Sequence, residues 1–285
     1  MTVLVAGASG TTGGEVVRQL VDAGITVRAL TRSADNALQL QRPGVEAIVA
    51  APDDGSALRA AFEGVSAAYV VRAAGPDLPE TEGAVARAAA DAGAHLVKLS
   101  VVGAGPDAPM RFARVHADSE AAVEAAGGSW TFVRPNGFMQ NDLAWAAQVP
   151  GGTVAGPVMD AAWSIVDVRD VAAVAVAALT DPTAHAGRRL TVAGPEPRTP
   201  RDRVRALGEL LGRELAVVDV PIPAAAEQLR GYGVPEWQAD GLAELFALYA
   251  DGLAAGVSPD VETVLGRAPR TWEQFAADHL AAFAG

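Results

Sequence analysis

Short apolar runs recur along the first half of the chain. Each ends in a turn signal and gives way to apolar positions three and four apart. Residues 2–6 (Thr-Val-Leu-Val-Ala) are the first such run. Gly7-Ala8-Ser9-Gly10-Thr11-Thr12-Gly13 turns the chain, and Val16, Val17, Leu20 and Val21 mark one face of a helix that stops at Gly24. Further strands are predicted over residues 25–30, 45–49, 67–71, 95–99 and 130–133, and helices over 32–42, 57–62, 80–92 and 110–126. Strands alternating with helices predict an α/β fold, a Rossmann-type doubly wound parallel sheet with helices on both faces.

The rhythm changes after Phe138. Pro150-Gly151-Gly152 and Ala155-Gly156-Pro157 are loop signals. Residues 166–171 open a helix that runs to 179, and residues 190–192 read as a late strand of the same sheet. Residues 199–211 and 222–249 are mostly helical, with breaks near 231–235. The expected division is a dinucleotide-binding domain over residues 1–136, with sheet segments returning from about 164–194, and a smaller, mainly helical lobe over 137–285. Such a lobe is expected over the carboxyl ends of the strands, where open α/β sheets bind ligands.

The glycine turn carries the first chemistry. Strand, glycine turn, helix and strand follow one another as in the βαβ unit that binds dinucleotides. Gly7 permits a tight exit from the strand. Gly10 lets the backbone approach a pyrophosphate, and Gly13 lets the helix lie close to the strand. The N–H groups at the helix start, over Ser9, Gly10, Thr11, Thr12 and Gly13, then face the anion. The spacing Gly-x-x-Gly-x-x-Gly is one residue longer than the common fingerprint, and the bland alternative is a turn that binds nothing. At the end of the second strand an NAD site usually places an acidic residue. Here Thr31-Arg32-Ser33 stands instead. Arg32 suits a 2′-phosphate, with Ser33 or Thr31 adding a hydroxyl, so NADP(H) is the expected cofactor. Asp53 is placed for an adenine-side contact or, with Asp54, for helix capping. Val71 and Arg72 open a loop, residues 72–76, expected beside the cofactor.

Composition narrows the class. The chain has 285 residues, half of them hydrophobic, enough for a large domain with a smaller lobe. No apolar run approaches the ~20 residues of a membrane span. No basic, apolar leader precedes the first strand, so a cytoplasmic protein is expected. With no cysteine there is no disulfide and no thiol nucleophile. The 4 histidines (His95, His116, His185, His279) are scattered, with no metal-ligand spacing. A net charge of −12 without a basic run argues against a nucleic-acid partner. The expected partner is a small hydrophobic, aromatic substrate; a homodimer is left open.

Some chemistry is missing. Reductases of the short-chain type use Tyr-x-x-x-Lys, but Lys98 is the only lysine and Ala94 stands four residues before it. Lys98 lies inside the fifth strand and points either into a helix layer or toward the strand's end; a structural, snorkelling role is expected. Ser100 follows that strand and could bond a substrate carbonyl or merely cap the turn. His116, with Glu120 one turn later on the same face, is the remaining titratable candidate for giving a proton to a reduced substrate. The bland alternative is a surface His–Glu pair.

Gly7-Ala8-Ser9-Gly10-x-x-Gly13, Arg28-Ala29-Leu30-Thr31-Arg32 and the segment from Trp130 through Arg134-Pro135-Asn136-Gly137-Phe138 to Asn141 resemble the NmrA-like proteins. Val166-Asp167-Val168-Arg169-Asp170-Val171-Ala172 and the closing Thr271-Trp272-Glu273-Gln274-Phe275 are similar too. The resemblance covers nearly the whole chain. It implies an NADP(H)-binding Rossmann domain, a small substrate lobe and an atypical short-chain dehydrogenase/reductase without the Tyr–Lys pair. In the isoflavone-reductase-like branch a lysine stands on the long helix after the fifth strand, where this chain has His116. The quinone-reductase branch is similar to this chain in having His116 and Glu120 there. Arg134 to Gly137 are expected to shape the nicotinamide pocket, with Pro135 on the cofactor and Asn136 a substrate or amide contact. The reading is an NADPH-dependent reductase of quinones or related conjugated carbonyl compounds. The alternatives are an NADP(H)-sensing regulator without turnover and a secondary-metabolite tailoring enzyme.

Overall fold

The alternation of apolar runs and helical stripes folds as a wound sheet. The computed structural model describes residues 1–51 and 54–284. β1 (Thr2–Ala6) encloses Val3, Leu4 and Val5 completely, because both of its faces are covered. α1 (Thr11–Asp22) buries Val16, Val17 and Leu20, and the chain leaves it through Gly24 in the left-handed region at φ 73°. Next come β2 (Thr26–Thr31), α2 (Ala34–Leu40), β3 (Val45–Val49), α3 (Gly55–Ala61), β4 (Ala67–Val70) and α4 (Leu78–Asp91). They are followed by β5 (His95–Leu99), α5 (Arg111–Ala125) and β6 (Trp130–Pro135). The helices start and stop where capping chemistry allows. Ser33 caps α2 and Asp54 caps α3 through their side-chain oxygens.

After a 3-10 run, Met139–Ala147, the chain forms β7 (Thr153–Gly156), α6 (Val168–Thr180), α7 (Pro182–His185) and β8 (Arg189–Val192). It continues with α8 (Pro200–Leu211), β9 (Ala216–Asp219), α9 (Ile222–Gly231), α10 (Glu236–Ala250), α11 (Asp260–Leu265), α12 (Trp272–Asp278) and α13 (Leu280–Ala284). A sheet of 7 strands runs in the order β3-β2-β1-β4-β5-β6-β8. The pairs from β3 to β6 are parallel, as the pattern predicts. The order reverses beside β1, which makes the β1–β4 boundary the switch point where such sheets bind ligands.

Two compact units divide the chain: residues 1–108, 112–135 and 168–191, and residues 109–111, 136–167 and 192 onward. In the first, Leu4, Leu58, Phe62, Leu96, Val123 and Phe132 belong to one enclosed cluster. Each such side chain contributes roughly 1.5–3 kcal/mol on leaving water. In the second, Met139, Trp145, Trp163, Tyr249, Trp272, Phe275 and Phe283 form the core, and β7 pairs β9 in a separate parallel ladder. That ladder, and the 3-10 run, stand where the sequence predicts loops or leaves the assignment open. β9 is largely exposed and carries no alternating pattern, so only its partner β7 makes it a strand.

A charge holds the second core. Arg203 is 1 % exposed and sits 4.8 Å from the Trp163 ring centre and 5.4 Å from that of Trp145. Its Nη1 donates to Asp142 Oδ2 at 2.5 Å, and Trp272 Nε1 donates to the same oxygen at 2.8 Å. Burial pushes the Asp142 carboxyl above the usual carboxylate range, and Arg203 opposes that shift. Removing one partner strands the other. Arg203→Met is therefore expected to lower stability by about 3–5 kcal/mol, and Asp142→Leu with Arg203→Met by less than the single change. Urea unfolding followed by tryptophan fluorescence measures both. A single variant within about 1 kcal/mol of wild type would show that the pair does not hold this core.

Candidate active site

The glycine turn is built by contacts that admit no Cβ. Gly7 has φ 93°, and a Cβ there would lie 2.3 Å from the Val71 carbonyl oxygen. At Gly13 a Cβ would lie 2.1 Å from the Gly7 carbonyl oxygen. Gly10 differs: its φ is −84°, and a Cβ would meet only the Gly7 oxygen, at 3.4 Å. Gly7 and Gly13 therefore serve the fold, while Gly10 keeps the outer face of the turn open. The Gly10 N–H donates to the Gly7 oxygen at 3.0 Å, closing the turn. No side chain caps α1, and no acidic residue stands in its first turn. Its leading N–H groups and the dipole behind them are left to an external anion. Ser9, Gly10 and Thr11 are exposed, and Thr12 and Gly13 are buried beneath them. A dinucleotide pyrophosphate fits this cradle, whose open face a side chain at residue 10 would fill.

Arg32 directly follows β2 and is exposed, with no ion pair or hydrogen bond to its side chain among the described residues. Ser33 Oγ accepts the Asn36 N–H at 3.1 Å, which leaves its own hydrogen free to donate. Asp53 lies outside the described residues. Asp54 is a cap: its Oδ1 accepts the Ser56 and Ala57 N–H groups at 3.1 and 3.0 Å. Those bonds, with the Ala57 N–H first, hold its carboxyl below the usual range. The Arg72 guanidinium donates to Thr81 Oγ1 and Asp77 Oδ2 at 2.5 Å each, both just beyond the 72–76 loop. Val71 serves through its backbone, against Gly7.

At the carboxyl ends of β5 and β6 the side chains form two networks. Lys98 does not snorkel. It is fully enclosed, 3.0 Å from Glu82 Oε2 on α4, and it donates to the Leu99 carbonyl at 3.0 Å. Its Nζ also lies 3.1 Å from His116 Nδ1. Ser119 Oγ donates to Glu82 at 2.5 Å. Burial pushes the Glu82 carboxyl up, against Lys98 and Ser119. His116 is neither a surface residue nor a partner of Glu120. Burial first, and the Lys98 charge second, bring its pKa down to about 3. It is neutral at physiological pH and holds no proton to give as an imidazolium.

Glu120 belongs to the other network. Its Oε1 accepts from Ser100 Oγ at 2.5 Å and from Arg134 Nε at 2.9 Å, and its Oε2 pairs with Arg134 Nη2. The Ser100 hydrogen is thus committed to a carboxylate and cannot be donated to a substrate carbonyl at the same time. Pro135 accepts the Val102 N–H at 2.9 Å, joining the two strand ends. Asn136 is a latch within the second unit. Its Nδ2 donates to Ser164 Oγ at 3.0 Å and to the Ala254 carbonyl at 2.9 Å, and its Oδ1 accepts the Gly137 N–H at 2.9 Å. Both of its amide hydrogens are thus committed within this unit. Sequence reasoning missed Glu82 and Ser119. A signal existed for Glu82, which falls on the apolar stripe of α4 with Val85, Ala86 and Ala89.

Strand order, glycine cradle and open helix start define a Rossmann-type dinucleotide fold. Within that class the chain belongs to the NmrA-like family, which matches over residues 1–276. It is 37% identical over 283 residues to an NAD(P)H azoreductase of Xenophilus azovorans, covering 99% of each chain. It is 40% identical over 288 residues to a (4-alkanoyl-5-oxo-2,5-dihydrofuran-3-yl)methyl phosphate reductase of Streptomyces griseus, again over 99% of each. In fold it resembles the NADPH-dependent quinone oxidoreductase of Escherichia coli complexed with NADPH, at TM-score 0.86 and 22% identity, over 98% of this chain and 99% of that one. Among the described residues no helix is long and apolar enough to cross a membrane.

The two roles of the glycines separate experimentally. Gly10→Ala is expected to leave stability within about 0.5 kcal/mol of wild type and to weaken dinucleotide binding about tenfold or more. Gly13→Ala is expected to cost at least about 1–3 kcal/mol of stability, from overpacking against Gly7. Thermal unfolding and calorimetric titration measure the pair. Equal stability losses would erase the distinction.

Proposed function

We propose that this protein is an NADPH-dependent reductase of quinones or related conjugated carbonyl compounds, acting by direct hydride transfer. The observation that carries the reading is the open, uncapped start of α1 together with Arg32 just after β2, which has no partner among the described residues. The first offers N–H groups to a pyrophosphate. The second stands where an NAD site would place an acid, and suits a 2′-phosphate. Both full-length relatives are named as reductases. A 5-oxo-2,5-dihydrofuran carrying a 4-alkanoyl group is itself a conjugated carbonyl compound, which supports that substrate class.

Bound NADPH supplies the hydride. Gly7, Gly10 and Gly13 hold the cradle, with Ser9, Thr11 and Thr12 around it, and Arg32 and Ser33 meet the 2′-phosphate. Ser100 and Pro135 are held rigidly at the strand ends by Glu120 and Val102. The chain has no Tyr–Lys pair, and His116 carries no titratable proton near neutrality. A quinone suits such a site, because its reduced oxygens take protons from water. Small aromatic acceptors in the cytoplasm are the proposed substrates.

Mixing the protein with NADPH and a panel of quinones, and following the loss of NADPH absorbance, tests the reading. Turnover is expected. Tight NADPH binding with no turnover of any acceptor would replace it with a sensing role. Arg32→Ala is expected to weaken NADPH binding about 10- to 100-fold and NADH binding by less than about threefold, corresponding to the loss of a charge-assisted phosphate contact. Equal losses for the two cofactors would sink the 2′-phosphate assignment.

A further inference from the structure

The contact between Lys98 and His116 fixes more than a position. An ammonium group donates and never accepts. Lys98 Nζ meets the Leu99 carbonyl at 3.0 Å, Glu82 Oε2 at 3.0 Å and His116 Nδ1 at 3.1 Å. All three hydrogens are used, and Nδ1 must accept the third. A neutral imidazole that accepts at Nδ1 carries its own hydrogen on Nε2. That Nε2 has no partner among the described residues and is not among the fully enclosed polar atoms, so its hydrogen keeps some access to solvent near the carboxyl end of β5. Ligands of parallel sheets bind at those ends.

We propose that Lys98 and Glu82 are positioning residues that lock His116 as a neutral Nε2–H donor, and that this donor bonds the substrate oxygen on which negative charge collects during reduction. The lock stands on geometry alone; its use rests on the reductase reading above. When hydride from NADPH adds to a conjugated carbonyl, NADP+ is left and the displaced electron pair ends on the carbonyl oxygen. That oxygen then takes a proton from water. His116 keeps its hydrogen throughout and stabilises the developing charge as a fixed dipole. The charges that face it are Lys98 from β5 and, behind it, Glu82 from α4. On α5 itself, Glu120 is turned to Ser100 and Arg134. Burial and the Lys98 charge together keep the imidazolium from forming near neutrality.

Nitrogen NMR of the labelled imidazole reads the lock directly. Wild-type His116 is expected to show an unprotonated Nδ1 and a protonated Nε2, unchanged between about pH 5 and about pH 8, the range in which an ordinary histidine titrates. Titration within that range, or a hydrogen on Nδ1, overturns the lock. Lys98→Met with Glu82→Gln removes both charges at similar volume, and is expected to let the tautomers mix and His116 titrate. If that variant does not fold, the wild-type spectrum still decides. With 1,4-naphthoquinone and NADPH, His116→Leu is expected to lose about 100-fold in kcat, the scale of one lost oxyanion donor, with NADPH affinity unchanged. His116→Gln keeps an N–H near the Nε2 position and is expected to recover most of the rate. Full kcat in His116→Leu overturns the donor's use. A locked tautomer in a wild-type protein that turns over no acceptor overturns the reductase reading and that use together, while supporting the lock.

Discussion

The first helix can begin where it does only because no Cβ stands between Gly13 and the Gly7 carbonyl, where the gap would be 2.1 Å. That approach seats α1 against β1. From there Val16, Val17 and Leu20 reach the sheet, and the Gln19 side chain donates to the Arg169 carbonyl of α6. The same contact aims the helix start outward and leaves it uncapped. Fold and anion site are therefore one construction. A residue with a side chain at position 13 would push the helix back and move the N–H groups with it. The positive φ of Gly7 completes the turn against Val71, which ties the loop to the end of β4.

A second constraint is electrostatic. The chain's single lysine is buried in a parallel sheet, where an unpaired charge would cost several kcal/mol. Glu82 and Ser119 meet that cost only as a set: remove one, and a buried group is stranded. The neighbouring network follows the same logic, with Ser100 and Glu120 buried and Arg134 mostly covered. Two helices, α4 and α5, are thus registered against β5 and β6 by polar contacts as well as by apolar packing. This explains why, of the two directions open to a structural lysine here, Lys98 takes the interior one. Its strand is central, between β4 and β6, and offers no path to water.

Strands and helices of the first unit were legible because both of their periods are strong, and the predicted segment 45–49 coincides with β3 (Val45–Val49). The glycine cradle was legible because glycine spacing reports backbone geometry directly. Side-chain roles were harder to read. His116 and Glu120 are spaced as helical neighbours, yet each is claimed by a partner distant in sequence: Lys98 for one, Arg134 and Ser100 for the other. Asn136 sits in a motif-like segment, but its partners Ser164 and Ala254 are contributed by later chain. Local pattern cannot weigh such long-range claims. The β7–β9 ladder was hidden for the same reason, since neither strand carries its own signal.

An acidic chain that binds an anionic cofactor presents an apparent contradiction. There are 34 carboxylates against 22 lysines and arginines, for a net charge of −12. Screening resolves most of it, because charges farther apart than about 8 Å hardly interact at physiological salt. What remains is local. At the helix start, α1 presents neither a capping side chain nor an acid in its first turn. Among the described residues Arg32 has no partner, whereas Arg28, on the preceding strand β2, is tied to Glu46 at 3.2 Å. An exposed arginine left without a carboxylate in such a composition keeps its full hydrogen-bonding capacity for a ligand. On the proposed reading the cofactor preference rests on Arg32, which has no partner among the described residues, and the net charge of the whole says little about it.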